Sequence, residues 1–178
     1  MSISLAIDTS TLRTSVAVLD GVRVLWSGHH DGATSHGQAI SELAAQALER
    51  SSHIDRVVVG MGPGPYTGLR VGIAFAHTFA LARGCEIIGV CSLDAILSPQ
   101  NSYIVATDAR RKEIYWARYK DGVRVEGPSV SKPADVGQYI YDVYPDMAKL
   151  VALSERQNIT EPLYLRRPDA VPTAQRPQ

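Results

Sequence analysis

The sequence predicts an α/β protein built from two similar lobes in tandem, and three observations carry that expectation. First, the chain repeats itself. Residues 6–24 and 106–125 each run from an apolar strand ending in an aspartate, Asp8 or Asp108, through a short polar turn and a second strand into the pentapeptide Asp-Gly-Val-Arg-Val. Second, Asp-Gly between two strand-like runs marks a hairpin, because both turn positions favour positive φ. Each half therefore opens as a three-stranded antiparallel meander. Third, helical and strand periods alternate after the first meander, giving the order β-β-β-α-β-α-β-α of a ribonuclease-H-like lobe. A duplication at this long period fits two facing lobes better than a solenoid. The alternative is two ordinary hairpins that share turn chemistry by chance.

The elements follow in order. Ser35 with Gln38 three residues on reads as a capping box. The helix behind it carries Ile40, Leu43, Ala44, Ala47 and Leu48 on one stripe, with Ser41, Glu42, Gln46, Glu49 and Arg50 opposite. Residues 56–60 form a continuous apolar run suited to a central strand. The glycine-rich loop 60–68 leads into a helix over 67–83, with Thr67 as cap and Gly84 as terminator. That helix is apolar nearly all round, which demands cover on more than one side. Its small residues Gly68, Gly72, Ala76 and Ala80 line a narrow face, on which a helix of another protein is expected to sit. A strand over 86–90 and a short helix over 92–97 complete the first lobe. The boundary falls at residues 99–102. The second half restarts its meander at Tyr103. It is expected to hold a Pro-led helix over 134–141, a weaker helix over 146–156 and a short strand over 162–166. The domains are thus 1–98 and 102–167, with 168–178 as a proline-rich tail expected to be disordered.

Composition bounds the function. Eighteen basic residues balance eighteen acidic ones, so any contact with RNA is expected to be weak or shared with a partner. No apolar run is long enough to span a membrane, and the first residues enter a strand without a basic leader. Cys85 and Cys91 lie in no ligand spacing and read as reduced thiols of a cytoplasmic protein.

Two tandem ribonuclease-H-like lobes make the actin/Hsp70/sugar-kinase (ASKHA) architecture, in which nucleotide phosphates lie between the lobes. Asp8, Thr9, Ser10 and Asp108 occupy the corresponding turns. The first turn, however, lacks the glycine that lets backbone N–H groups approach a phosphate, and no glycine follows residue 140 to cradle an adenosine. These four residues therefore read as a vestigial nucleotide site. Loop 60–68 is neither a P-loop, since no Gly-Lys-Ser/Thr follows, nor a dinucleotide fingerprint. Pro63 and Pro65 remove two donors from it, so it reads as a rigid structural loop rather than an anion site. His29 and His30 end a strand, and His36 faces Ile40 rather than a second histidine, so no metal pair forms. No catalytic set is recognisable.

The string Gly60-Met61-Gly62-Pro63-Gly64-Pro65-Tyr66-Thr67-Gly68-Leu69-Arg70-Val71-Gly72 is highly specific. Together with Ala6-Ile7-Asp8-Thr9-Ser10, residues 107–115 and residues 161–166, it resembles the TsaB family. These are bacterial partner proteins in tRNA threonylcarbamoyladenosine (t6A) synthesis, once grouped with the glycoprotease-like (M22, Gcp-like) proteins. The resemblance covers 1–131 and about 161–169; the stretch between is shorter than the family pattern, which implies a reduced second lobe. It further implies a scaffold without catalytic residues or metal. The catalytic TsaD-type subunit would carry the metal-binding histidines and the ATP or ADP. The dimer surface would come from the two first-lobe helices, through Ile40, Leu43, Ala47, Gly68, Leu69, Gly72, Phe75, Ala76, Phe79 and Ala80. The implied partners are a TsaD-type subunit, a TsaE-type ATPase in the assembled complex, tRNA only indirectly, and a second copy of the chain when it is alone.

Two competing readings remain at this level. One is an ATPase or small-molecule kinase of the ASKHA fold that uses Asp8 and Asp108. The other, a metallopeptidase, has the least support, because neither metal pair nor nucleophile is visible.

Overall fold

The computed structural model describes residues 2–32 and 34–166; the expected tail lies outside them. Strands β1 (Ile3–Asp8), β2 (Arg13–Asp20) and β3 (Arg23–Asp31) form the first meander, followed by α1 (His36–Leu48), β4 (Arg56–Gly60), α2 (Tyr66–Arg83) and β5 (Glu86–Val90). They make one sheet in the order β3-β2-β1-β4-β5, with β1, β4 and β5 parallel. Alternation along the strands divides the core. Leu5, Ile7, Val16, Val18, Val57 and Val59 face α1 and α2, while Ala6, Ala17, Leu19, Val58 and Val90 face the other side. That second side is covered by α3 (Met147–Leu153), through Met147, Leu150 and Val151. The helix lies in the second half of the sequence but closes the first sheet.

The second sheet, β6 (Ser102–Asp108), β7 (Ile114–Lys120) and β8 (Val123–Ser131), repeats the meander. Beside β6, Ile140 makes a single parallel bridge, donating to the Ile104 carbonyl at 2.8 Å and accepting from Ala106 N–H at 2.9 Å. This is the place β4 holds beside β1, reduced to one residue.

Several expectations are corrected. The identical pentapeptides close different turns. In the second hairpin Asp121 and Gly122 both have positive φ, at 51° and 75°. In the first, Asp20 joins the ladder opposite Arg23, and the turn moves to Gly21 and Val22. The helix expected over 134–141 is only a 3-10 turn at Pro133–Asp135, because Gly137 takes φ 81° and Ile140 is drawn to β6. The strand expected over 162–166 is irregular: Pro162 has no N–H, and only Leu163 reaches a neighbour, the Met61 carbonyl, at 2.8 Å. The short helix over 92–97 is a 3-10 turn at Ser92–Ala95. Ser35 precedes α1 without capping it, since its hydroxyl donates to Gly32 instead, and Gln38 pairs with Glu42. Pro65, not Thr67, starts α2. Gly84 ends it in the left-handed conformation, as expected.

Candidate functional site

The two aspartates that mark the repeat behave differently. Asp8 is buried, and both of its oxygens are used within the chain. Oδ1 accepts from Ser10 N–H at 2.9 Å and from Ser10 Oγ at 2.7 Å; Oδ2 accepts from Ser92 Oγ at 2.6 Å. Ser92 Oγ in turn accepts from Gly62 N–H at 3.2 Å. Burial pushes the Asp8 carboxyl above its usual range, opposed by the hydrogen bonds from Ser92 and Ser10. The carboxylate is a clamp joining β1, its turn and the end of β5. Loop 60–68 closes over the turn: a Cβ on Gly64 would stand 2.8 Å from Ser10 Cα. Thr9 donates its hydroxyl to the Gly68 carbonyl at 2.7 Å, tying the turn to the first turn of α2. The residues present therefore do not fit a phosphate at this turn.

Asp108 is half-exposed. It accepts from Arg110 N–H at 2.8 Å and faces the Arg110 guanidinium at 3.4 Å. It anchors an unusual loop, in which Arg110, Arg111 and Lys112 take φ of 62°, 54° and 62° in succession. Such geometry costs a residue with a Cβ roughly 1–2 kcal/mol each. Between the lobes, a cleft of about 50 Å³ is lined by Thr11, Leu12, Pro65, Asp108 and Tyr144, among others. On its wall Thr107 Oγ1 is buried without a partner.

The lobes are held together by a residue that sequence reasoning passed over. Asp94, in the 3-10 turn, accepts from Tyr119 Oη at 2.8 Å and from Gln157 Nε2 at 2.7 Å, and pairs with Arg124 at 3.1 Å. An acid in a linker carries no periodic signal, so only the fold reveals it.

The interface expectation is sharply revised by burial. Ile40, Leu43, Ala47, Gly68, Leu69, Gly72, Ala76 and Ala80 are all buried within the chain itself. The small-residue seam of α2 receives Thr9 of the β1–β2 turn and the His36 ring, not a foreign helix. Phe75 and Phe79 are half-buried. The outward face of α2 instead presents Ala74, Thr78, Ala82 and Leu81, the last 85% exposed, beside Val71 and Phe75.

His36 is buried where α1 meets α2, with Nδ1 2.7 Å from Thr14 Oγ1. Among the described residues, no group of three or more His, Cys, Asp or Glu could hold a metal ion. Burial first, and the charge of His30 second, pull the His36 pKa below its ordinary 6.5. The folded chain thus binds this proton more weakly than the unfolded chain does. Its contribution to stability is present above the unfolded value and is lost as pH falls below it. Urea denaturation is expected to show lower stability at pH 5.5 than at pH 7.5, with the difference reduced in His36→Gln; an equal difference in that variant would exclude His36 as the source.

A family model described as TsaD, tRNA N6-adenosine threonylcarbamoyltransferase, matches residues 30–170. The Escherichia coli tRNA threonylcarbamoyladenosine biosynthesis protein TsaB is 33% identical over 127 residues, covering 65% of this chain and 54% of that protein. The chain belongs to the TsaD/TsaB family. An uncharacterized protein of Mycobacterium leprae is 40% identical over 209 residues, 97% of this chain and 57% of the relative. One from Mycobacterium tuberculosis is 39% identical over 204 residues, covering 98% and 96%. That alignment is longer than the 178 residues of this chain, so the relative carries internal segments that are missing here. A Pseudomonas aeruginosa crystal structure, described as similar to peptidase YeaZ, superposes with TM-score 0.77 at 24% identity over 93% of this chain and all of that one. The arrangement of two meander-led sheets is therefore shared with that structure. The chain spans little more than half of the M. leprae and E. coli relatives.

Proposed function

We propose that this chain is a non-catalytic partner subunit that pairs with a TsaD-type catalytic subunit. There it supports threonylcarbamoyl transfer to adenosine 37 of tRNA in the cytoplasm. The E. coli, Haemophilus influenzae and Bacillus subtilis relatives named as TsaB support the process. The observation that carries the subunit's role is the closed first turn, where Asp8 spends both oxygens on Ser10 and Ser92 beneath a covering loop. Transfer of an activated carbamoyl group needs a metal or oxyanion-stabilising site and a bound nucleotide intermediate. In this reading the ATP or ADP and the metal belong to the partner, a TsaE-type ATPase joins the assembled complex, and the outward face of α2 makes the contact. The chain alone pairs with itself through the same face. No helix among the described residues is long and apolar enough to cross a membrane.

Reconstitution tests this. Nucleosides from digested tRNA are expected to show t6A only when the chain and its partners are combined, and none with the chain alone. The Asp8→Asn variant should keep most of the activity of the assembled proteins. Loss of activity with complex formation intact would instead favour an enzyme that uses Asp8 and Asp108.

A further inference from the structure

We propose that the cleft between the lobes, at the end of β6, binds a hard divalent cation, calcium or magnesium, that braces one lobe against the other. Such a cation is independent of the subunit role and is not the catalytic metal assigned there to the partner. The first lobe contributes Thr11 to the lining, and the second contributes Thr107, Asp108, Tyr141, Asp142 and Tyr144. No lysine, arginine or histidine is in the lining, and every polar side chain there offers oxygen alone. Two carboxylates without a basic group repel a phosphate and attract a cation. Oxygen donors select alkaline-earth cations over zinc or copper. Asp8 takes no part, since Ser10 and Ser92 use both of its oxygens.

Thr107 is the residue that points to a ligand. It is 6% exposed, and its hydroxyl oxygen is buried in the wall of the cleft without a hydrogen-bond partner. An unpaired buried hydroxyl is costly, so such groups normally meet a partner, a water or an ion. The two carboxylates act on the same place. Burial first, and then the charges of Asp108 and Asp142, push the Tyr141 phenol up, so both lie within electrostatic reach of one side chain of the lining. Asp108 keeps capacity for a metal. Its Oδ1 accepts from Arg110 N–H at 2.8 Å, and its Oδ2 stands 3.4 Å from the Arg110 guanidinium. The second distance exceeds the roughly 2.7–2.9 Å of a charge-assisted hydrogen bond, and a carboxylate has about four acceptor positions. Two carboxylates are fewer than the three His, Cys, Asp or Glu of a tight metal site, and no such group occurs among the described residues. The other ligands are then hydroxyls and water, as is usual for magnesium, which keeps several of its waters.

Thermal unfolding of the full chain tests the proposal, after treatment with a chelator and return to calcium, magnesium or sodium chloride at matched ionic strength. A site with two carboxylates belongs at the weak end of calcium affinities, on the order of 10⁻⁴–10⁻³ M. At about tenfold excess over such a dissociation constant, the midpoint is expected to rise by about 4 °C in either divalent salt relative to sodium. Terbium, an analogue of calcium, should show emission sensitised by Tyr141 and Tyr144 and lost on adding calcium. Asp142→Asn removes an exposed carboxylate, so it should leave the fold intact and weaken terbium binding at least about tenfold. Thr107→Val removes the orphan hydroxyl, so it should keep or raise the metal-free midpoint and lose the gain from divalent salt. A Thr107→Val variant that keeps the full gain would overturn the proposal, as would a wild type that gains no more from calcium or magnesium than from sodium. A gain that appears only when ADP is added would make the cleft a nucleotide–metal site and overturn it equally.

Discussion

Gly64→Ala is expected to lower the thermal midpoint by roughly 10 °C, from a loss of about 3 kcal/mol at roughly 3 °C per kcal/mol for a chain of this length. The new methyl would touch the Ser10 carbonyl oxygen and stand 2.8 Å from Ser10 Cα and 2.9 Å from its carbonyl carbon. All three are backbone atoms, so no side chain can rotate away. Ser10 itself is held from behind by Asp8 through two hydrogen bonds. Relief requires one of two losses. Either the Asp8 clamp opens and leaves a buried carboxylate short of donors, or α2 moves out and gives up the Thr9–Gly68 bond. Differential scanning fluorimetry checks this. A shift below about 3 °C would mean that turn and loop yield independently, at less than the usual cost of overpacking.

Ala74→Arg is expected to break association while leaving the fold intact, and Ala76→Arg to break the fold itself. The two residues lie on one helix and differ in which way they face. Ala74 is exposed, at the centre of the outward strip with Val71, Phe75 and Thr78. A long charge there would have to be desolvated in any packed interface, at a cost of about 2 kcal/mol or more, a roughly thirtyfold loss of affinity. Ala76 is fully buried in the core with Leu69 and Ile73, where a guanidinium has neither room nor partner. Analytical ultracentrifugation together with capture of the catalytic partner reads the first effect, and circular dichroism the second. Undiminished association of Ala74→Arg would place the contact on another surface.

Much of the fold was legible because its signals are local. The repeated meander, the stripe of α1 and the apolar run of β4 each follow from a period of two or 3.6 that burial imposes on neighbouring residues. The family resemblance was legible because residues 60–72 need glycines at fixed places: Gly60, Gly64, Gly68 and Gly72 pack against Asp8, Ser10 and Thr9. Less legible was the second half. A helix over 134–141 was expected from a Pro start and mixed polarity, yet one hydrogen-bonded residue, Ile140, was captured by β6 instead. Propensity yields to a sheet edge that offers a partner.

The sequence by itself determined that the chain folds as a meander-led α/β protein of two related parts, that His36 has no histidine partner one turn on, and that α2 is apolar nearly all round. Which side of α2 is free could not be read from it, because an all-round apolar helix has no moment to orient it. Only the tertiary structure turned the Gly68–Gly72–Ala76–Ala80 seam inward onto Thr9 and His36 and left Ala74, Thr78 and Leu81 outside. Only the fold, too, gave the two equivalent aspartates opposite fates. Asp8 is closed in by Ser10, Ser92 and the loop through Gly64, while Asp108 stays half-open beneath an arginine-bearing loop. The physical reason is the same in both cases: burial and hydrogen-bond partners are set by residues distant along the chain, brought together when β5, α2 and the second sheet converge on the ends of β1 and β6.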